Sequence, residues 1–99
     1  MKINFSTKEY DCCLKWLSYN NGNVAIVACD AKSGLPVGKL TVNTPEILPP
    51  DAVAIKNYSE NDGVLESLID NGVVSEIQHY IPSGYVQIPV CIILNKLEK

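Results

Sequence analysis

The sequence predicts a single α+β domain over residues 1–99: one strongly bent, mostly antiparallel sheet, a meander followed by a C-terminal hairpin, with one α-helix at 60–71 packed on a face. Three observations predict it. Only one stretch combines helical spacing of apolar residues with a stop signal. The other apolar stretches alternate, or run for six to ten residues between Gly, Pro and Asn clusters, as strands do. And 99 residues, 46% of them hydrophobic, suffice for one core.

The helix is read from Val64, Leu65, Leu68 and Ile69, which fill one arc at 100° per residue. Ser59 is its expected N-cap, with Asp62 three residues on as a weaker stand-in for the Glu of a capping box. Asn71-Gly72 ends it, Gly72 being suited to the left-handed residue after the C-cap. Gly63 in the first turn costs about 1 kcal/mol relative to Ala. So short a helix needs a packing partner.

In chain order, Ile3 and Phe5 alternate with polar neighbours as a first strand. Residues 10–19 fit a helix capped by Ser6 and Glu9, but Tyr10, Cys12, Leu14 and Trp16 also alternate as one strand face. Asn20-Asn21-Gly22-Asn23 favours the strand, because Asn-Gly supplies hairpin turns. The hairpin then spans 11–19 and 23–30, and the apolar run Val24–Cys29 reads as a central strand covered on both faces. Asp30–Pro36 is a turn, and Gly38–Asn43 a third strand. Thr44–Pro50 holds three prolines and cannot continue a sheet; it is expected to cross one end of the core, packing Ile47 and Leu48. A short strand at 52–56 leads to the helix. Val73–Ile81 is extended, Pro82-Ser83-Gly84 turns the chain, and Tyr85–Leu94 is the last strand, where Pro89 implies a bulge or an edge. The polar tail, Asn95–Lys99, is expected to fray.

Charge is unevenly spread. From Glu46 to Glu76 seven carboxylates meet one lysine, Lys56, a net −6, while the remainder carries +3; the chain total of −3 hides the split. Asp62, Glu66 and Asp70 recur every fourth residue and would stack on one helix face, repelling by about 0.2–0.5 kcal/mol per pair. Such runs are commonly solvated faces; the sharper reading is a docking surface for a basic partner, with Tyr58 as a hydrophobic staple or an interface aromatic beside it. Every basic residue is lysine. Without the arginine fork, and with an acidic isoelectric point near 4.9, direct nucleic-acid binding is disfavoured.

Cys12, Cys13, Cys29 and Cys91 have no metal-site spacing and only one histidine to join them. No phosphate-binding loop or dinucleotide motif is present, so neither cofactor nor metal is expected. A cysteine nucleophile would need His79 as its base; with the turn centred near Ser83, Cys91 would fall opposite about Ser75 instead. The chain lacks an apolar run of membrane-spanning length, about 18 residues, and its N-terminus lacks the apolar core of a secretory signal, so the cytoplasm is the expected compartment.

The blocks Leu40-Thr41-Val42-Asn43, Ile55–Asn61 with its Tyr58-Ser59-Glu60-Asn61 core, Ile69–Val74, Ser83-Gly84 and Pro89-Val90-Cys91 resemble a family of small bacterial proteins. It is classed as a domain of unknown function and is often carried on mobile elements of gut bacteria. The likeness covers most of Asn20–Cys91; Asn57 stands where an Asp is expected. The resemblance implies context, an accessory protein of a mobile element, and assigns no site residue. The expected activity is therefore a non-enzymatic protein-interaction module, docking an unidentified partner through the acidic helix face or a sheet edge; an exposed edge would also allow a homodimer. The alternatives are an acidic inhibitor of a nucleic-acid-binding host defence protein, and a small cysteine-dependent enzyme.

Overall fold

The computed structural model describes residues 1–96. The expected fraying tail therefore lies partly outside the described residues. Strands β1 (Lys2–Phe5), β2 (Lys8–Ser18), β3 (Val24–Asp30), β4 (Pro36–Lys39) and β5 (Ala52–Ala54) precede helix α1 (Val64–Asp70), and β6 (His79–Ser83) and β7 (Val86–Ile92) follow it. The α+β class holds and the strands pair antiparallel, but in two sheets, ordered β1-β2-β3-β4 and β5-β7-β6.

The β2–β3 hairpin turns where Asn-Gly placed it. Its loop is one residue longer than the tightest turn: Gly22 N–H donates to Tyr19 O (2.9 Å), Tyr19 N–H to Asn23 O (2.8 Å), and Gly22 alone takes a positive φ of 92°. At the far end the Asp30 carboxylate accepts the Lys32 and Ser33 amides (2.8 and 2.9 Å), which hold it below the usual carboxylate range.

The expected third strand, 38–43, is corrected to 36–39. Its register shifts by a bulge beside Ala28 and Cys29. Beyond Leu40, whose amide still donates to Ile26 O (2.9 Å), the chain leaves β3 for the second sheet. Lys56 N–H donates to Leu40 O (2.9 Å), Thr41 bridges Ile55, and Val42 N–H donates to Ala54 O (3.2 Å). Residues 40–42 thus stitch the sheets together, and this is where the expected single bent sheet divides.

Alternation along β5 and β7 gives each a separate core on either face. Val53, Ile55 and Cys91 face Ile3, Leu14, Ile26, Leu40 and Leu68 in the main core. Ala52, Ala54, Ile88 and Val90 form a smaller one with Ile81, covered in part by Leu48 and Tyr58. Of the two residues expected to cross the core end, Leu48 packs and Ile47 is 76% exposed. The proline-rich segment is held by the buried Asn23 side chain, which donates to Glu46 O (2.8 Å) and accepts from Leu48 N–H (2.8 Å).

Pro89 lies on β7, the central strand, not on an edge. Its carbonyl accepts from Ile55 N–H (3.0 Å), so its nitrogen also points toward β5, just past that strand's end, where little pairing is lost. The flanking Ile88 and Val90 turn their backbone toward β6, and their partners Ile81 and His79 turn inward to meet them. That leaves Tyr80 and Pro82 facing outward on the free edge of β6, with Tyr80 the one amide donor between them.

The expected helix 60–71 is broken. A 3₁₀ turn, Ser59–Asn61, is followed by Asp62 in extended conformation and Gly63 at φ 96°, and α1 begins only at Val64. Ser59 does not cap it; Ser59 itself sits at φ 55°, and neither turn nor helix has a side-chain bond at its N-cap. The C-terminal end is as expected. Gly72 (φ 72°) donates to Ile69 O and Val73 to Leu68 O, both at 3.0 Å, and Leu68 and Val73 are fully buried, which completes a Schellman motif.

The break has a cause in β1. The outward-facing polar groups of this edge strand are taken up by residues 62–71: Ser6 N–H donates to Asp62 O (2.6 Å), Asn4 N–H to Ser67 Oγ (2.9 Å), and Asn71 Nδ2 to Lys2 O (3.2 Å). Asn61, 2% exposed, donates its Nδ2 to Lys39 O (2.7 Å) on β4. Residues 61–71 therefore seal both edges of the first sheet. That sheet is so curled that a Cβ on Gly38 of β4 would stand 3.0 Å from the Phe5 ring of β1.

Candidate functional site

The four residues that the sequence singles out lie along one connected segment but not on one face. Glu66 and Asp70 are exposed one helical turn apart on α1. Asp62 is exposed too, but it precedes Gly63 and lies off the helix, so the stripe of three becomes a pair plus a neighbour. The ion pairs among the described residues join Met1 to Asp11 (3.2 Å) and Lys56 to Glu60 (2.7 Å); none of the three carboxylates takes part. The Lys56 ammonium holds the Glu60 carboxyl below its usual range. Tyr58 is half-buried on the smaller core, consistent with a packing role, with Lys56 Nζ 5.6 Å from its ring centre.

The cysteines are free thiols: Cys12, Cys29 and Cys91 are buried and Cys13 is half-buried. His79 pairs with Val90, so Cys91 is one residue from the position opposite it rather than four; neighbouring residues of a strand point to opposite faces, and His79 is exposed while Cys91 faces the main core. Burial pushes both Cys91 and Cys12 up to about 11, the nearby N-terminal ammonium partly opposing this at Cys12. A thiol whose folded value exceeds its unfolded 9.0 gives stability that is complete below 9 and lost as pH rises toward 11. Two results are expected: an alkaline fall in unfolding free energy across that window, and labelling of Cys12 and Cys91 by a maleimide at neutral pH only at the rate of unfolding.

The structure shows a second feature that the sequence reading missed, an open cleft of about 360 Å³ where residues 39–43 run beside 56–58. Lys39, Thr41 and Asn43 line one side with Tyr19, and Lys56 and Tyr58 line the other. Each ammonium rests near a ring, Lys39 5.6 Å from Tyr19 and Lys56 5.6 Å from Tyr58. The signal in the sequence was the i, i+2, i+4 spacing of Lys39, Thr41 and Asn43, which puts them on one side of an extended chain. Its partner, Lys56-x-Tyr58, is brought beside it by long-range pairing, the Thr41–Ile55 bridge and the Lys56 N–H bond to Leu40 O.

Among the described residues no three His, Cys, Asp or Glu side chains gather as a metal-ligand set, and no helix is long and apolar enough to cross a membrane. Comparison of the chain with protein-family models, curated proteins and solved structures finds no match.

Proposed function

We propose that this chain is a cytoplasmic protein-interaction module that docks a basic partner on the outer face of α1, through Glu66 and Asp70 with Asp62 at the helix start. One observation carries the reading: two exposed carboxylates without a cationic partner among the described residues stand on a helix whose whole length is tied to β1 and whose C-terminus is locked by Gly72. A rigid display loses little entropy on binding, and unpaired charge steers a cationic partner. Two carboxylates on two turns fall short of the dense array that imitation of nucleic acid requires. The resemblance to mobile-element proteins supplies the context of an accessory factor.

The test compares wild type with Glu66→Lys/Asp70→Lys in capture from host lysate, followed by titration of the captured protein at two salt concentrations. Both side chains are exposed, so stability should change by no more than about 0.5 kcal/mol. Affinity for the partner should drop by about tenfold or more, with a weaker salt dependence. Equal affinity of both proteins for every captured partner would end this reading.

A further inference from the structure

The cleft between residues 39–43 and 56–58 shares no lining residue with the acidic face of α1, and its lining side chains turn hydrogen-bond donors toward it. The buried Thr41 hydroxyl accepts from Ile26 N–H (3.3 Å) and lies 3.0 Å from Tyr19 Oη. Its own hydrogen needs an acceptor, and among the described residues the phenol oxygen is the one within hydrogen-bond distance. Tyr19 then has its O–H free to donate outward. Asn43 shows the same polarity: its Oδ1 is used twice, accepting from Asn23 Nδ2 (3.2 Å) and from Thr44 N–H (3.0 Å), so its exposed Nδ2 is what remains. Lysine ammoniums only donate. Lys39 belongs to no ion pair among the described residues, and Lys56 is shared with Glu60 from outside the cleft lining.

We propose that this cleft binds a small ligand through an oxyanion, a phosphate or carboxylate group, held between the Lys39 and Lys56 ammoniums and the Tyr19 hydroxyl. Lysines here act as point charges, which asks for charge and not for the two-pronged geometry of arginine. Tyr19 and Tyr58 orient the ammoniums and offer their ring edges to the rest of the ligand. Glu60 is the built-in competitor: it occupies Lys56 at 2.7 Å, and an incoming anion must draw that ammonium away.

This sets two substitutions against each other. Lys39→Ala removes an exposed charge and should weaken binding by about tenfold, whereas Glu60→Gln releases Lys56 and should strengthen it by about threefold. The experiment is a titration of the ¹⁵N-labelled protein, followed by its amide spectrum, with sodium phosphate, pyrophosphate and succinate in turn, and with sodium chloride at matched ionic strength. The spectra themselves show that each variant is folded. Support is a saturable shift of the Lys39, Thr41, Asn43 and Lys56 amides with one oxyanion and not with chloride, weakened in Lys39→Ala and tightened in Glu60→Gln. Saturation by phosphate and pyrophosphate alone assigns a phosphate ligand; saturation by succinate alone assigns a carboxylate. No saturable shift with any of the three, shifts that chloride reproduces, or affinities unchanged in both variants overturns the proposal.

Discussion

Gly63→Ala is expected to destabilise the fold by about 2–3 kcal/mol, far more than the roughly 1 kcal/mol by which alanine normally outranks glycine in a helix in the opposite direction. Two causes add. At φ 96° the backbone is in a region that side chains avoid, and a Cβ there would meet Asn4 Cβ at 3.2 Å and Asn4 O at 3.4 Å. Neither neighbour is the free end of a flexible chain: Asn4 is held in β1 with its amide on Ser67 Oγ. Gly72→Ala is the internal control. Gly72 has φ 72° with nothing within 4 Å of its would-be Cβ, so it should show only the backbone cost of about 1 kcal/mol. Urea unfolding of the two variants beside wild type measures both; equal losses would mean that the contact with β1 contributes nothing.

Asn61→Ala is expected to cost about 2–3 kcal/mol, the sum of a part-buried Lys39 carbonyl left without its partner, a lost hydrogen bond and a small cavity. Asn71→Ala makes the comparison: Asn71 is exposed, and water can replace its bonds to Lys2 O (3.2 Å) and Ser67 O (2.8 Å), so no more than about 1 kcal/mol is expected there. Asn61→Asp adds a pH signature. A buried carboxylate facing the Lys39 carbonyl would have its folded pKa raised above the unfolded value, so stability would be retained at low pH and lost as pH rises through the raised value. Unfolding free energies that are flat with pH in Asn61→Asp would show that the side chain is not enclosed.

The parts of this fold that were legible in the sequence are those where local chemistry decides. Gly22 fixed the β2–β3 hairpin, Asp30 the following turn, and Gly72 the end of α1, because each acts on backbone groups within a few residues. What was not legible depends on partners far along the chain. Ser59 and Asp62 carry the signals of a capped helix start, with Gly63 as a flaw in its first turn, but the amide of Ser6 claims the Asp62 carbonyl and Asn61 is drawn to Lys39, so the turn that would have been the first of the helix is spent on sealing a sheet. Pro89 reads as an edge residue until β5 is seen to end beside it. The acidic residues were visible as a charge run, and Glu66 and Asp70 remain one turn apart; Asp62 left the stripe for the reason just given. Tyr58 is marked in the sequence by its position before the helix, whereas its neighbours in the cleft, Tyr19, Lys39, Thr41, Asn43 and Lys56, come from three separate stretches that meet through long-range contacts: the Thr41–Ile55 bridge, the Lys56 N–H bond to Leu40 O and the Tyr19–Thr41 hydroxyl pair.

The central claim is that residues 61–71 are the seal of the curled sheet and therefore a rigid display for Glu66 and Asp70. Native-state hydrogen exchange at the amides of Asn4, on the edge strand β1, and Ser6, in the turn just after it, tests it most directly, because they depend on Ser67 Oγ and the Asp62 carbonyl for their partners. Protection comparable to that of Ile26 or Ala28 inside β3 is the predicted result, falling at both amides together in Gly63→Ala. Exchange at the rate of a solvated loop amide in the wild type would show that the helix rests on the sheet without sealing it, and the account of a rigid acidic face would fall with it.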